Sequence, residues 1–154
     1  MTPAELPARL RRLAGQVKER AAVDAADVMA QTYQRGVVRS MKGPSPSPEG
    51  SPPARRTGTL ARSVRAEPAK GDGARAAASV APHTVYARIQ QLGGDIYPVR
   101  AKALRWKDKG GVHFALHVRL PKRPYMVMTP QRRAECRDAA IAAVRAVVRG
   151  ALGG

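Results

Sequence analysis

YARIQQLGGDIYPVRAKALRWKDKGGVHFALHVRLPKRPY, residues 86–125, is the stretch whose reading decides the fold. Within it Val112, Phe114, Leu116, Val118 and Leu120 alternate with His113, Ala115, His117 and Arg119. Strict alternation predicts one strand over 112–120 with its large apolar side chains on a buried face. Gly93-Gly94 and Lys109-Gly110-Gly111 punctuate two shorter extended runs, 95–99 and 103–107. Glycines permit the positive φ that tight connections need, so the spacing predicts a strand-turn-strand-turn-strand meander. Leu104 and Trp106 share a face of it, and Ile96 can join them.

Outward from the meander lie two helices. Residues 4 to about 41 carry Leu6, Leu10, Leu13, Val17, Ala21, Val28 and Met41 close to a 3.6-residue stripe, with Ala25 and Tyr33 between. Thr2, Pro3 and Glu5 have the spacing of a capping box with proline at the first helical position. Gly15 and Gly36 are weak points in that helix, each costing up to ~1 kcal/mol against alanine. A second helix runs from about Pro130 to Arg149. Thr129-Pro130 caps it, Ala134, Ile141, Val144 and Val148 form its apolar face, and Gly150 stops it. The fold class that follows is α+β: a mostly antiparallel sheet, a meander, packed against a long N-terminal helix and a C-terminal helix.

Between the first helix and the sheet comes GPSPSPEGSPPARRTG, residues 43–58, with five prolines and three serines. Without apolar anchors it predicts a flexible Pro-rich loop at 43–56, mobile at the surface or ordering against a neighbour. Ser45, Pro46, Ser47, Pro48, Pro52 and Pro53 would form its docking surface, with Arg55 and Arg56 placed to meet carboxylate or phosphate. Asp72-Gly73 signals a hairpin. The small residues of 74–81 predict a strand closely approached by a helix or neighbouring backbone. Residues 84–92 predict a short helix with Val85, Ile89 and Leu92 inward, closed by Gly93.

A chain of 154 residues suits one domain, 1–154. Aromatics make up only 4% of it, so a modest core of Leu, Val and Ile is expected, with Trp106 and Phe114 its bulkiest members. No apolar run approaches the ~20 residues of a membrane span. The lone Cys136 rules out an internal disulfide and a cysteine-clustered zinc site. Net charge is +17, from 28 Lys and Arg against 11 Asp and Glu, which favours association with a polyanion or an acidic protein surface. His113 and His117 would lie ~13 Å apart on a strand, at ~3.3 Å per residue, too far to share one metal. His83 has no acidic or cysteine cluster near it, the serines have no paired histidine, and no phosphate-cradling glycine motif occurs. Neither a catalytic residue nor a cofactor is expected.

The order of four short motifs resembles the minor tail, or virion-morphogenesis, proteins of long-tailed phages. These are Thr-Gly-x-Leu-x-x-Ser at 57–63, Tyr-Ala-x-x-Gln-x-x-Gly-Gly at 86–94, Ala-Lys-Ala-Leu-Arg-Trp at 101–106 and Arg-Pro-Tyr-Met at 123–126. The resemblance covers 57 to about 149 and implies a tail-completion, head–tail joining subunit: a structural, non-enzymatic virion protein assembled in the host cytoplasm. It would form a homo-oligomeric ring, commonly hexameric, at the neck. Its partners would be the head connector or stopper and the tail tube or terminator, with non-specific contact to phage DNA. In that family's pattern Gly58, Leu60 and Ser63 lead into the sheet, and Tyr86, Gln90, Gly93 and Gly94 form the helix-turn before the meander. Leu104, Trp106, Arg123 and Pro124 form its core and exit. Second contact loops are expected at Arg100, Lys102, Lys107 and Lys109. A tail terminator or other minor tail component is the near alternative. A basic nucleic-acid-binding protein is the alternative from another class, and a small ribonuclease-like toxin using Arg105 or Arg119 a third.

Overall fold

The computed structural model describes residues 6–73, 75–108 and 110–152; Thr2, Pro3, Glu5 and Lys109 lie outside the described residues. Helix α1, Leu6–Ser40, is 35 residues long, ~52 Å at 1.5 Å per residue. It is continuous through Gly15 and Gly36. Helix α4, Pro130–Leu152, runs back along it, with Arg132 beside Gly36 and its last turns beside Leu13 and Val17. The start of α4 is capped as its sequence predicts: the Arg132 N–H donates to Thr129 Oγ1 at 3.2 Å.

The inward face of α4 is not the expected one. Arg132 and Cys136 are buried, and Ala139, Ala140, Ala143 and Val147 continue that side half-buried, whereas Ile141, Val144 and Val148 are exposed. Alanines let the two helices approach closely, and the longer apolar side chains are left outside. Gly150 does not stop α4, which continues to Leu152, because a helical glycine costs only ~1 kcal/mol. Among the described residues of α1 the buried positions are Ala21, Ala30, Gly36 and Val37, with Met41 just beyond its end, while Leu10 and Leu13 are exposed.

The strands form four two-stranded antiparallel ladders, two in each of two ribbons. In the first, β1 (Val64–Ala66) pairs with β4 (Val80–Pro82) and β2 (Lys70–Asp72) pairs with β3 (Arg75–Ala77). Between the pairs, three residues at 67–69 face two at 78–79, a bulge caused by Pro68, which has no N–H for the ladder. The neighbouring Ala69 N–H donates instead to Asp27 Oδ1 of α1, at 2.6 Å. This ribbon lies against α1, as the small residues of its second half predict. A five-residue helix, α2 (Thr59–Ser63), leads into it.

The second ribbon is nested, not a meander. Strand β5 (Gly94–Ile96) pairs with β8 (Val118–Leu120), while β6 (Leu104–Asp108) pairs with β7 (Gly111–Ala115). The predicted single strand over 112–120 is parted at Leu116 and His117. Pro98 ends β5, and 97–103 leaves the ladder before β6 begins. The register also separates the expected apolar face. Trp106 sits opposite His113, and Phe114 sits opposite Arg105 on the other side of the ribbon. Phe114 is 67% exposed, Leu116 73% and Trp106 41%, so the residues expected to be the bulkiest of the core are outside it.

The core sits at the junction of α1, α2 and the segment after β8. Val37, Met41, Ala61, Val64 and Tyr125 form it, with Tyr33, Val38, Leu60, Val80 and Met126 packed against it. Tyr125, 1% exposed, is its largest member. Helix α3, Ala87–Leu92, clamps it: Gln91 Oε1 accepts the N–H of Tyr125 at 2.9 Å and of Met126 at 3.0 Å. Of the expected inward residues of this helix, Ile89 is half-buried while Val85 and Leu92 are exposed. Ala87 is the buried one. Gly93 closes α3 with φ 71°, and a Cβ there would lie 2.8 Å from the Lys122 backbone nitrogen.

Candidate functional site

The Pro-rich segment, expected to be without packed structure, folds back over the end of α1. The Arg55 N–H donates to the Met41 carbonyl at 3.0 Å and the Gly50 N–H to the Lys122 carbonyl at 2.9 Å. Ser47 and Pro53 are buried. Met41 and Leu60, which flank the segment in sequence, line the cleft beneath it together with Leu120 of β8.

This folding opens a cleft of about 370 Å³ between the loop, α2, α3 and β8. It unites two groups of predicted residues. Ser45, Pro46, Ser47, Pro53, Arg55 and Arg56 line one wall. Gly58, Leu60, Tyr86, Gln90 and Arg123 line the rest, with Met41 and Leu120 contributing apolar surface. Pro48 and Pro52 do not line it; the Pro48 carbonyl accepts the Ser51 N–H at 3.3 Å, a turn within the loop.

The cleft is basic. Arg55, Arg56 and Arg123 line it, and no aspartate or glutamate does. Arg55 Nε and Arg62 Nη1 lie 3.2 and 2.9 Å from the place a Cβ on Gly58 would occupy, so two guanidiniums flank that glycine. Arg62 also donates to the Thr57 carbonyl at 3.1 Å. The Arg123 backbone N–H bonds the Gln90 carbonyl at 3.0 Å, but its side-chain Nε is sealed from solvent with no acceptor.

The remaining predicted residues have other places. Ser63 is buried at the end of α2, its hydroxyl donating to the Leu60 carbonyl at 2.8 Å. Gly94 begins β5, Leu104 begins β6 half-buried, and Pro124 precedes the core tyrosine. Arg100 and Lys102 are exposed on the 97–103 segment and Lys107 on β6; among the described residues these second contact positions do not join the cleft. Trp106 stacks on His113 with ring centroids 5.4 Å apart. His117 bonds Asp95 Oδ1 through Nε2 at 2.8 Å and stacks on Tyr97 at 4.8 Å. Each histidine thus braces its own part of the second ribbon. Among the described residues no group of three or more His, Cys, Asp or Glu is placed to hold a metal ion. No helix among them is long and apolar enough to cross a membrane.

Two structural residues were missed from sequence. Gln91, not Gln90, carries the amide that fixes Tyr125. Arg132 is buried between the helices, its Nη2 donating to the Gly36 carbonyl at 3.1 Å and Nη1 to the Val127 carbonyl, with Tyr33 beneath it at 5.6 Å. An arginine in a basic helix and a glutamine beside another carry no local signal of such roles. Burial holds the Tyr33, Tyr125 and Cys136 pKa values above their ordinary ranges; for Tyr33 this outweighs the opposing pull of Arg132. These groups belong to the packing and not to the cleft.

Compared with known protein families, curated proteins and solved structures, the chain matches none.

Proposed function

We propose that this chain is a non-enzymatic structural subunit of a long-tailed phage particle, closing into a homo-oligomeric ring at the head–tail junction. The observation that carries this reading is the second ribbon. Val112 and Phe114 are exposed on one face of it and Trp106 on the other, and Tyr97, Val99 and Leu116 are exposed in the segments that join its strands. Apolar surface of this extent is costly to leave in water and marks a protein contact. A neighbour in a ring covers such surface on every copy at once, and closure leaves no terminal edge. The motif order at 57–126 supplies the phage resemblance, and the charge of +17 suits a subunit close to packaged DNA or to acidic partner rings.

Disrupting the gene in its parent phage tests the placement. Filled heads and finished tails that fail to join, restored by the gene in trans, are expected. Normal infectious particles from the disrupted phage would contradict it.

A further inference from the structure

Three arginines outside the cleft meet carboxylates: Arg20 meets Asp24, Arg39 meets Glu135 and Arg137 meets Asp138. Among the described residues, Arg55, Arg56, Arg62 and Arg123 have no carboxylate partner, although Arg55 and Arg62 converge on Gly58. Arg123 Nε is buried without an acceptor, a state that native structures rarely leave unanswered. Beside these cations the cleft carries Met41, Leu60, Leu120 and Tyr86.

We propose that the cleft captures an acidic, partly apolar peptide segment of a partner protein, its carboxylate taken by the guanidiniums of Arg55 and Arg123 and its apolar side chain by the floor. A side-chain carboxylate accepts paired N–H donors from arginine and reaches inward on its own stem. The phosphates of a nucleic acid suit this site less well. A space of about 370 Å³ admits side chains but no duplex, and the apolar floor would gain nothing from a phosphate backbone. The inference goes beyond the ring and does not depend on it, since the cleft is complete within one chain.

The test is fluorescence anisotropy of the full-length protein with a labelled decapeptide of alternating glutamate and leucine. The same peptide with glutamine for glutamate is the neutral control, and oligothymidylate is the competitor. Arg55→Gln with Arg123→Gln is expected to weaken binding by about tenfold or more, while Arg11→Gln with Arg145→Gln, removing equal charge from the helices, leaves it unchanged. Arg55→Gln with Arg56→Gln, both exposed, serves as the second pair where Arg123 affects folding. Equal weakening by the helix pair would reduce the binding to net charge and overturn the proposal. So would binding of the glutamine peptide as tight as that of the glutamate peptide. Oligothymidylate binding that depends on Arg55 and displaces the peptide would overturn it in favour of a nucleic-acid site. Rings that still assemble from the cleft variants would leave the ring reading standing whichever way this falls.

Discussion

Arg132 Nη2 donates to the Gly36 carbonyl at 3.1 Å because Gly36 has no side chain: a Cβ there would lie 2.9 Å from Arg132 Nε. One glycine in a long helix thereby decides where the second helix crosses it. Gly36→Ala is expected to destabilise the fold by about 1–2 kcal/mol through overpacking. Gly15→Ala, with nothing within 4 Å, should stabilise it by roughly 0.5–1 kcal/mol. In an Arg132→Ala background Gly36→Ala should turn from harmful to favourable. Urea midpoints of these variants check the sign change, and a Gly36→Ala penalty that survives loss of Arg132 would refute the coupling.

Gln91 holds two backbone N–H groups next to the core tyrosine, whereas Gln90 serves mainly through its backbone carbonyl. Gln91→Met should therefore cost about 2–4 kcal/mol, the consequence of stranding two partly buried donors. Gln90→Met should cost under about 1 kcal/mol. Chemical denaturation of the two variants separates them, and equal losses would show that the amide is not the clamp.

The thiol of Cys136 and the phenols of Tyr33 and Tyr125 all ionise at higher pH in the folded chain, because burial disfavours their anions. An unfolded thiol ionises near about pH 8.5 and an unfolded phenol near about 10. Above those values the unfolded chain holds fewer protons than the folded one. Their stabilisation is thus complete at neutral pH and falls as pH rises through the alkaline range. Melting temperature against pH should bend downward from about pH 8.5, and Cys136→Ala should move the onset towards the tyrosine range near about 10. A flat profile would contradict the burial.

The sequence carried α1, α3 and α4, the Thr129 cap, the hairpin about Gly73 and the Gly93 terminator, because each is fixed by a few adjacent residues; the hairpin's turn begins one residue later than Asp72, which pairs with Arg75. The sequence misdirected the reading where long-range register decides. Alternation over 112–120 names a strand but not its partners: 118–120 pairs with β5 and 111–115 with β6, a register that puts Trp106 and Phe114 on opposite faces. The bulky residues expected inside are exposed, and Tyr125, whose setting depends on α1, α2 and α3 together, takes the central place. The cleft was half legible. Arg55, Arg56, Gln90 and Arg123 each stand out in the sequence, but only the folded loop brings them to one cavity.

Self-assembly through the second ribbon is measured most directly by sedimentation of the purified full-length chain beside a Phe114→Asp, Leu116→Asp variant. Both side chains are exposed in the single chain, so the variant should keep the fold, read as an unchanged circular dichroism spectrum. The wild type is expected to sediment as one closed oligomer, seen as rings by electron microscopy, and the variant as a monomer. A wild type that remains monomeric at micromolar concentration, or a variant that assembles equally well, would contradict the account.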